Sequence, residues 1–338
     1  MTSKRLFIRQ SIIAGIAIAT LALTAACAPE SKSAQNTSEP AVIEEKPLFA
    51  PLRGTEVQKG EATNPSLAVK IDNHESARPH IGLNSTDLVF EELVEGGYTR
   101  YAAVWQSSIP ELIGPVRSIR PMDPDIVSPL GGVIVYSGGQ QQFVDLMKAA
   151  PVENLVFDQD QTHFYRDNAR IAPHNVILRA QEAIADYSEL PAPEQQFEYS
   201  SDGASSTAAT VGTPASLVSM RFSNIRFPSW EWDEASGLYQ RNQEDTPDID
   251  AEGNRITATN VIVLRVPVEM GEVPKTVLEG SGEATFITNG KAVAGTWQKA
   301  GRDESLVFND SEGNVIKLAP GNSWVELVPA AEGTVSVQ

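Results

Sequence analysis

Asp87-Leu88-Val89-Phe90-Glu91-Glu92-Leu93-Val94-Glu95-Gly96-Gly97-Tyr98-Thr99-Arg100-Tyr101-Ala102-Ala103-Val104-Trp105-Gln106 is the stretch on which the fold class turns. Runs Asp87 to Val94 and Thr99 to Gln106 are rich in β-branched and aromatic residues and flank Gly96-Gly97, so they read as a hairpin with a slightly longer loop. In the first run Glu91, Leu93 and Glu95 share one side, while Glu92 and Val94 share the other. A carboxylate therefore points toward the buried side. It must be paired or change its pKa, and Arg100 across the hairpin is the candidate partner.

Working outward, Leu67 to Ile71 is a short strand and Val133 to Tyr136 a buried one. Phe143, Leu146, Met147 and Ala150 recur at helical spacing before Pro151, and Ile177, Ala180, Ile184 and Tyr187 recur similarly. Residues 48–199 are thus expected to form an α/β domain with a mixed sheet and flanking helices. The Ser/Thr/Ala/Gly-rich stretch Ser200 to Ser216 reads as a linker. Residues 217–330 read as a mostly β domain, with strands around Trp230–Asp233, Leu238–Arg241, Val261–Val266, Thr285–Ile287, Thr296–Lys299, Leu306–Asn309, Val315–Leu318 and Trp324–Val328. The overall class is α+β.

The 338-residue chain is 41% apolar and 21% charged, a composition that folds. Its 44 acidic and 26 basic side chains leave a net charge of −18, which repels a phosphate backbone and argues against nucleic acid as partner. One cysteine excludes both an intrachain disulfide and a thiolate zinc cluster. That cysteine follows a secretion signal: Lys4, Arg5 and Arg9 precede an uncharged run from Ser11 to Ala26, ending in Leu23-Thr24-Ala25-Ala26-Cys27. The small residues before Cys27 resemble a bacterial lipobox, although Thr24 stands where leucine is usual. Residues 1–26 are then a signal peptide, Cys27 the lipidated first residue of the mature chain, and 27–47 a Ser/Glu/Pro-rich tether. The expected location is the extracytoplasmic side of a bacterial membrane, with a lipid anchor.

Residues 48–216 hold 11 basic against 22 acidic side chains, yet their arginines cluster among Gly, Pro and Asn, where tight turns form local anion sites. Lys70-Ile71-Asp72-Asn73, followed by Arg78, leaves a strand into polar residues; it is either a ligand-binding sheet edge or an Asx-turn. Arg117, Ser118 and Arg120 lie in Gly114-Pro115-Val116-Arg117-Ser118-Ile119-Arg120-Pro121, where the two guanidiniums point to opposite sides if the backbone is extended and converge on an anion if it turns. Gly138-Gly139 before the next helix can add N–H donors, but fits no full phosphate-loop pattern. Tyr165-Arg166 and His174-Asn175 complete the candidate set. His174 or Glu95 is the proton-transfer group if the protein is an enzyme, whereas a capping or core histidine and a structural Glu95–Arg100 pair are the plain alternatives. The four histidines lack zinc-helix spacing, so no metal and no cofactor are expected.

Taken together, Lys70-Ile71-Asp72-Asn73, Ala77-Arg78-Pro79, Glu95-Gly96-Gly97 with Thr99-Arg100, Gly114-Pro115-Val116-Arg117-Ser118 with Arg120, Phe164-Tyr165-Arg166 and Pro173-His174-Asn175 resemble the YerB-like lipoprotein family of bacteria. In the second half, Gly295-Thr296-Trp297, Asp310 with Gly313, and Pro320-Gly321 with Trp324 match as well. The resemblance implies a lipid-anchored envelope protein of two domains and carries no catalytic residue. A looser similarity of motif style, arginines after a central strand, links the first domain to the LytR-CpsA-Psr glycopolymer transferases. The functional expectation is a non-catalytic binder of an anionic envelope glycan, lipid head group or protein partner. An envelope enzyme on a phosphorylated or glycan substrate, and a purely structural assembly partner, are the alternatives.

Overall fold

The computed structural model describes residues 47–338; the signal run, Cys27 and nearly all of the tether lie outside the described residues. Twenty-four strands and four short α-helices make the described chain more sheet-rich than a balanced α+β protein. The hairpin is present as strands Leu88–Leu93 and Thr99–Trp105, joined through a 3-10 turn at Glu95–Gly97 with both glycines at positive φ. Glu95 is therefore in the turn rather than in line with Glu91.

The hairpin lies inside an eleven-stranded sheet. The order runs Thr213–Pro214, Lys291–Lys299, Gly280–Thr288, Asn260–Val266, Ser323–Pro329, Leu88–Leu93, Thr99–Trp105, Leu67–Asp72, Val133–Tyr136 and Glu153–Val156, with Val307–Asp310 added beside Lys291–Lys299. The two halves of the sequence join where Ser323–Glu326 pairs in parallel with Leu88–Glu91. Alternate residues supply two cores that both run through the joint. Val89, Leu93, Tyr101, Val263 and Trp324 belong to one, and Phe90, Ala102, Val104, Ile262 and Val325 to the other. Both faces are covered, which is why the central strands are near-continuous apolar runs.

A second, six-stranded sheet covers the first face with Val218, Trp230 and Tyr239. On the other face lie the helices Asp123–Val127 and Gln141–Lys148. In the latter, Phe143, Val144 and Met147 are buried, with Ala150 just beyond it, whereas the expected core residue Leu146 is exposed, so Val144 takes its place and the stripe is only slightly rotated from the expected one. The helix expected from Ile177 is instead the strand Val176–Arg179 followed by the helix Ala180–Ala185. Val176, Ile177 and Leu178 are all buried, and pairing with Phe164–Arg166 on one side and Leu112–Ile113 on the other holds the segment extended against its helical spacing. Val315–Leu318 makes isolated bridges rather than a strand. Past residue 330 the chain adds the strand Thr334–Val337.

Where composition suggested a linker, residues 200–216 form a 3-10 turn, the helix Thr207–Val211 and the strand Thr213–Pro214 on the edge of the central sheet. Ser206 caps that helix by accepting from Ala209 N. Ser200 N and Thr207 N donate to Leu318 and Lys317 carbonyls. Small residues here allow close packing against the sheet.

Candidate functional site

Strands Leu67–Asp72 and Val133–Tyr136 are parallel, so their C-terminal ends share one edge. Segment 114–120 is laid along this edge: Asp72 N donates to Pro115 O, Arg117 N to Lys70 O, and Ser137 N to Arg117 O. These main-chain bonds place Arg117 beside Asp72. His174 arrives from the loop before Val176–Arg179, and its Nδ1 lies 2.6 Å from Asp72 Oδ2. Arg117 Nε lies 3.2 Å from the same oxygen, without the alignment of a hydrogen bond. Asp72 is 4% exposed. Among the described residues, His174 Nε2 and the two terminal nitrogens of Arg117 have no hydrogen-bond partner.

The His174 ring stacks on His74 at 4.2 Å, and His74 lies 5.0 Å from the Tyr98 ring. Arg226 covers the other side of Tyr98 at 4.7 Å and donates to Asn73 O and Glu75. Next to Arg117, Arg100 donates to Ser118 O at 2.7 Å and reaches Glu95 at 3.6 Å. Arg120 grips Glu95 with Nε and Nη2. Burial resists ionisation of Glu95, yet the Arg120 hydrogen bond and charge hold its pKa at about 2. That carboxylate is an anchor for arginines, so the proton-transfer role considered for Glu95 falls away. Burial, reinforced by Arg120 and opposed by Glu95, pulls Arg100 down to about 10, with Arg117 adding to the crowding. Three guanidiniums thus face two carboxylates, Asp72 and Glu95.

The structure separates the remaining expected residues from this edge. Lys70 is fully buried, bound to Glu92 and, at 2.7 Å, to Asp123, where no ligand reaches it. Asn73 is buried, donating to Thr99 and accepting from Arg78, which stands 3.9 Å from Glu244. Arg166 donates to Asn175 and lies over Phe157, and Tyr165 stacks under Arg179. These side chains shape a neighbouring loop. Gly138 has φ +119°, and a Cβ there would lie 2.5 Å from Asp158 Oδ2, so a carboxylate already sits over the glycine turn expected to offer N–H donors. No group of three or more His, Cys, Asp or Glu side chains is placed to hold a metal among the described residues.

Behind the edge is a second ionic centre that sequence reasoning missed. Arg241 donates to Glu91 at 2.6 Å and to Asp248 at 2.7 Å, inside a shell of Tyr101, Trp230 and Trp324 at 5.3 to 5.9 Å. Glu326, held by Trp230 Nε1 at 2.7 Å, is pushed well up by burial and by Glu91 beside it. Expected pairing across the hairpin is thus replaced: Glu91 pairs with Arg241 and Glu92 with Lys70. The only sequence signal was Arg241 sharing one face of an expected strand with Tyr239.

Residues 52–192 match the family model "Protein of unknown function (DUF3048) N-terminal domain", and residues 218–325 match its C-terminal domain. The chain belongs to the DUF3048 family. Asp72, Arg117 and His174 lie in the N-terminal DUF3048 segment, whereas Arg226 and Arg241, which close the site from behind, lie in the C-terminal one. A relative named "Putative lipoprotein YerB" from Bacillus subtilis (strain 168) is 24% identical over 301 residues, covering 84% of this chain and 87% of the relative. The crystal structure of Bacillus subtilis YerB superposes with a TM-score of 0.73 at 22% identity, over 86% of this chain and 99% of that one, which establishes the shared fold.

Proposed function

We propose that this DUF3048 protein is a lipoprotein, anchored through Cys27 on the extracytoplasmic side of a bacterial membrane, whose sheet edge binds an anionic group of an envelope component. The anchoring part is supported by the lipobox-like Leu23–Cys27 and by the name of the Bacillus relative. The binding part rests on one observation: among the described residues Arg100, Arg117 and Arg120 have only Asp72 and Glu95 as carboxylate partners, and Arg117, which meets His174 at Asp72 Oδ2, has no partner on either terminal nitrogen. A planar fork next to an imidazole matches a phosphate or carboxylate.

Calorimetric titration of the full chain with inorganic phosphate and with acetate tests this reading. Arg117→Lys should weaken the preferred anion by about tenfold or more, because an ammonium cannot reproduce the fork. Binding of neither anion at millimolar concentration would sink the proposal. A catalytic second reading is favoured by the 2.6 Å Asp72–His174 contact, which orients Nε2 outward as a base. His174→Ala would then abolish turnover of a phosphorylated or glycan substrate while leaving anion binding largely intact. Intact-mass analysis of the membrane fraction should find Cys27 diacylglyceryl-modified.

A further inference from the structure

Asp72 meets two basic side chains on one oxygen. Arg117 Nε stands 3.2 Å from Oδ2 and His174 Nδ1 stands 2.6 Å from it, so the charge left at this spot depends on the state of the imidazole. With His174 neutral, Asp72 cancels Arg117. With His174 protonated, one carboxylate faces two cations and a full positive charge is left over. Arg100 and Arg120 add another, since Glu95 stands against both. Among the described residues, His174 Nε2 and the terminal nitrogens of Arg117 lack a partner, and none of the three is sealed from solvent.

The other titratable and charged groups around this imidazole have partners of their own. His74 stacks on it at 4.2 Å and accepts the Ser76 N–H at its own Nδ1, a contact that a protonated His74 would lose. Two imidazolium rings face to face also repel, so the stack holds one proton rather than two. Glu75, beside His74, takes Arg226, and Glu244 lies between Arg226 and Arg78. On the loop that carries His174, Arg170 is paired with Asp167. His80, 2.7 Å from the main-chain carbonyl of Asp72, is kept below the ordinary histidine range by burial. Beneath the edge, Glu92 and Asp123 share Lys70.

We propose that His174 makes anion binding at this edge proton-linked: the site takes up one proton on His174 as it binds, so its affinity rises as pH falls. The proposal rests on the anion-binding reading above and adds its regulation. Linkage is reciprocal, so a bound anion favours the protonated ring by as much as the protonated ring favours the anion. Histidine suits the task because its charge changes between about pH 5 and 8. His74 is the positioning residue, stacking the ring so that Nδ1 stays on Asp72. His174 here lends charge to the ligand, the opposite of the base in the catalytic reading.

The test is calorimetric titration of the full chain with sodium sulfate at constant ionic strength, between about pH 6 and about pH 8.5. Sulfate keeps its charge over that range, whereas phosphate does not. Affinity should fall by about tenfold or more from the acid to the alkaline end. Titrations near neutrality in buffers of different ionisation enthalpy should show proton uptake on binding. His174→Asn keeps a donor for Asp72 but no charge, so it should bind equally at both ends, at the parent's alkaline affinity. His74→Phe keeps the stacked ring and cannot take a proton, so it should preserve the pH dependence. Equal sulfate affinity of the parent at both ends would overturn the linkage and leave the anion site standing. Absence of sulfate binding at both ends would overturn the linkage, and absence of phosphate binding as well would remove the site itself. A pH dependence that survives in His174→Asn, or vanishes in His74→Phe or Glu92→Gln, would assign the proton to another group and overturn the proposal.

Discussion

Two arginine–carboxylate centres flank the hairpin strands and differ in what surrounds them. Arg241 is sealed between the sheets, with Glu91 and Asp248 on its guanidinium and three aromatic rings around it. Arg117 stands on the sheet edge, 22% exposed on its side chain, sharing Asp72 with His174 and leaving its terminal nitrogens free. The residue types are the same. In the sealed centre every carboxylate on the guanidinium is held within the protein, and the work of these pairs is to join the two halves of the chain. At the edge, the arginines outnumber their carboxylates and a donor set remains open to solvent. The contrast teaches that an arginine in an acidic protein reports function by what it leaves unpaired, not by its presence.

The largest expected effect breaks the sealed centre. Arg241→Ala strands Glu91 and Asp248 without a counter-charge in the core, at a cost of about 3–5 kcal/mol in chemical denaturation. The cost falls on both halves together, because Glu91 and Asp248 come from opposite halves of the chain and Ser323–Glu326 pairs directly with Leu88–Glu91. Unfolding in two separated transitions, with only one shifted, would show that the centre does not join them.

A smaller effect sharpens the comparison from a buried acid close to both centres. Glu92 is pushed up to about 8 by burial, with Asp123 adding to the rise and Lys70 opposing it. The folded chain therefore keeps a proton that the unfolded chain releases near 4.5. This contribution to stability is complete below the lower value and is lost as pH rises through the upper one. Glu92→Gln, which cannot ionise, should gain melting temperature relative to the parent protein as pH is raised across that window. Parallel melting curves would mean that Glu92 is ionised in its pair with Lys70 throughout.

The smallest effect on stability belongs to the open edge. Arg117→Ala should cost less than about 1 kcal/mol, since its ion pair is partly solvated and imperfectly aligned. The same variant should lose anion binding, separating it from Arg241→Ala, which loses the fold. A destabilisation as large as that of Arg241→Ala would place Arg117 among the structural ion pairs and remove the basis for the binding site.

Much of this molecule was determined by local sequence. The hairpin around Gly96-Gly97 and the strands at Leu67, Val133, Val261 and Trp324 follow from alternation and turn chemistry, and Asp72, Arg117 and His174 were each legible as separate candidates, though not as a group. Such signals act over a few residues and survive whatever the rest of the chain does. What only the tertiary structure decided was which strands become neighbours and which charges become buried. Ser323–Glu326 pairs with Leu88–Glu91 across more than two hundred residues, and that one pairing merges the two halves into a single sheet. The second sheet and the helices cover the two faces of the hairpin, so Glu91 and Glu92 are both buried, one meeting Arg241 and the other Lys70, where local alternation had placed only one of them inside. The physical reason is that ion pairing depends on distance and desolvation in three dimensions, and neither quantity is encoded in the spacing of residues along the chain.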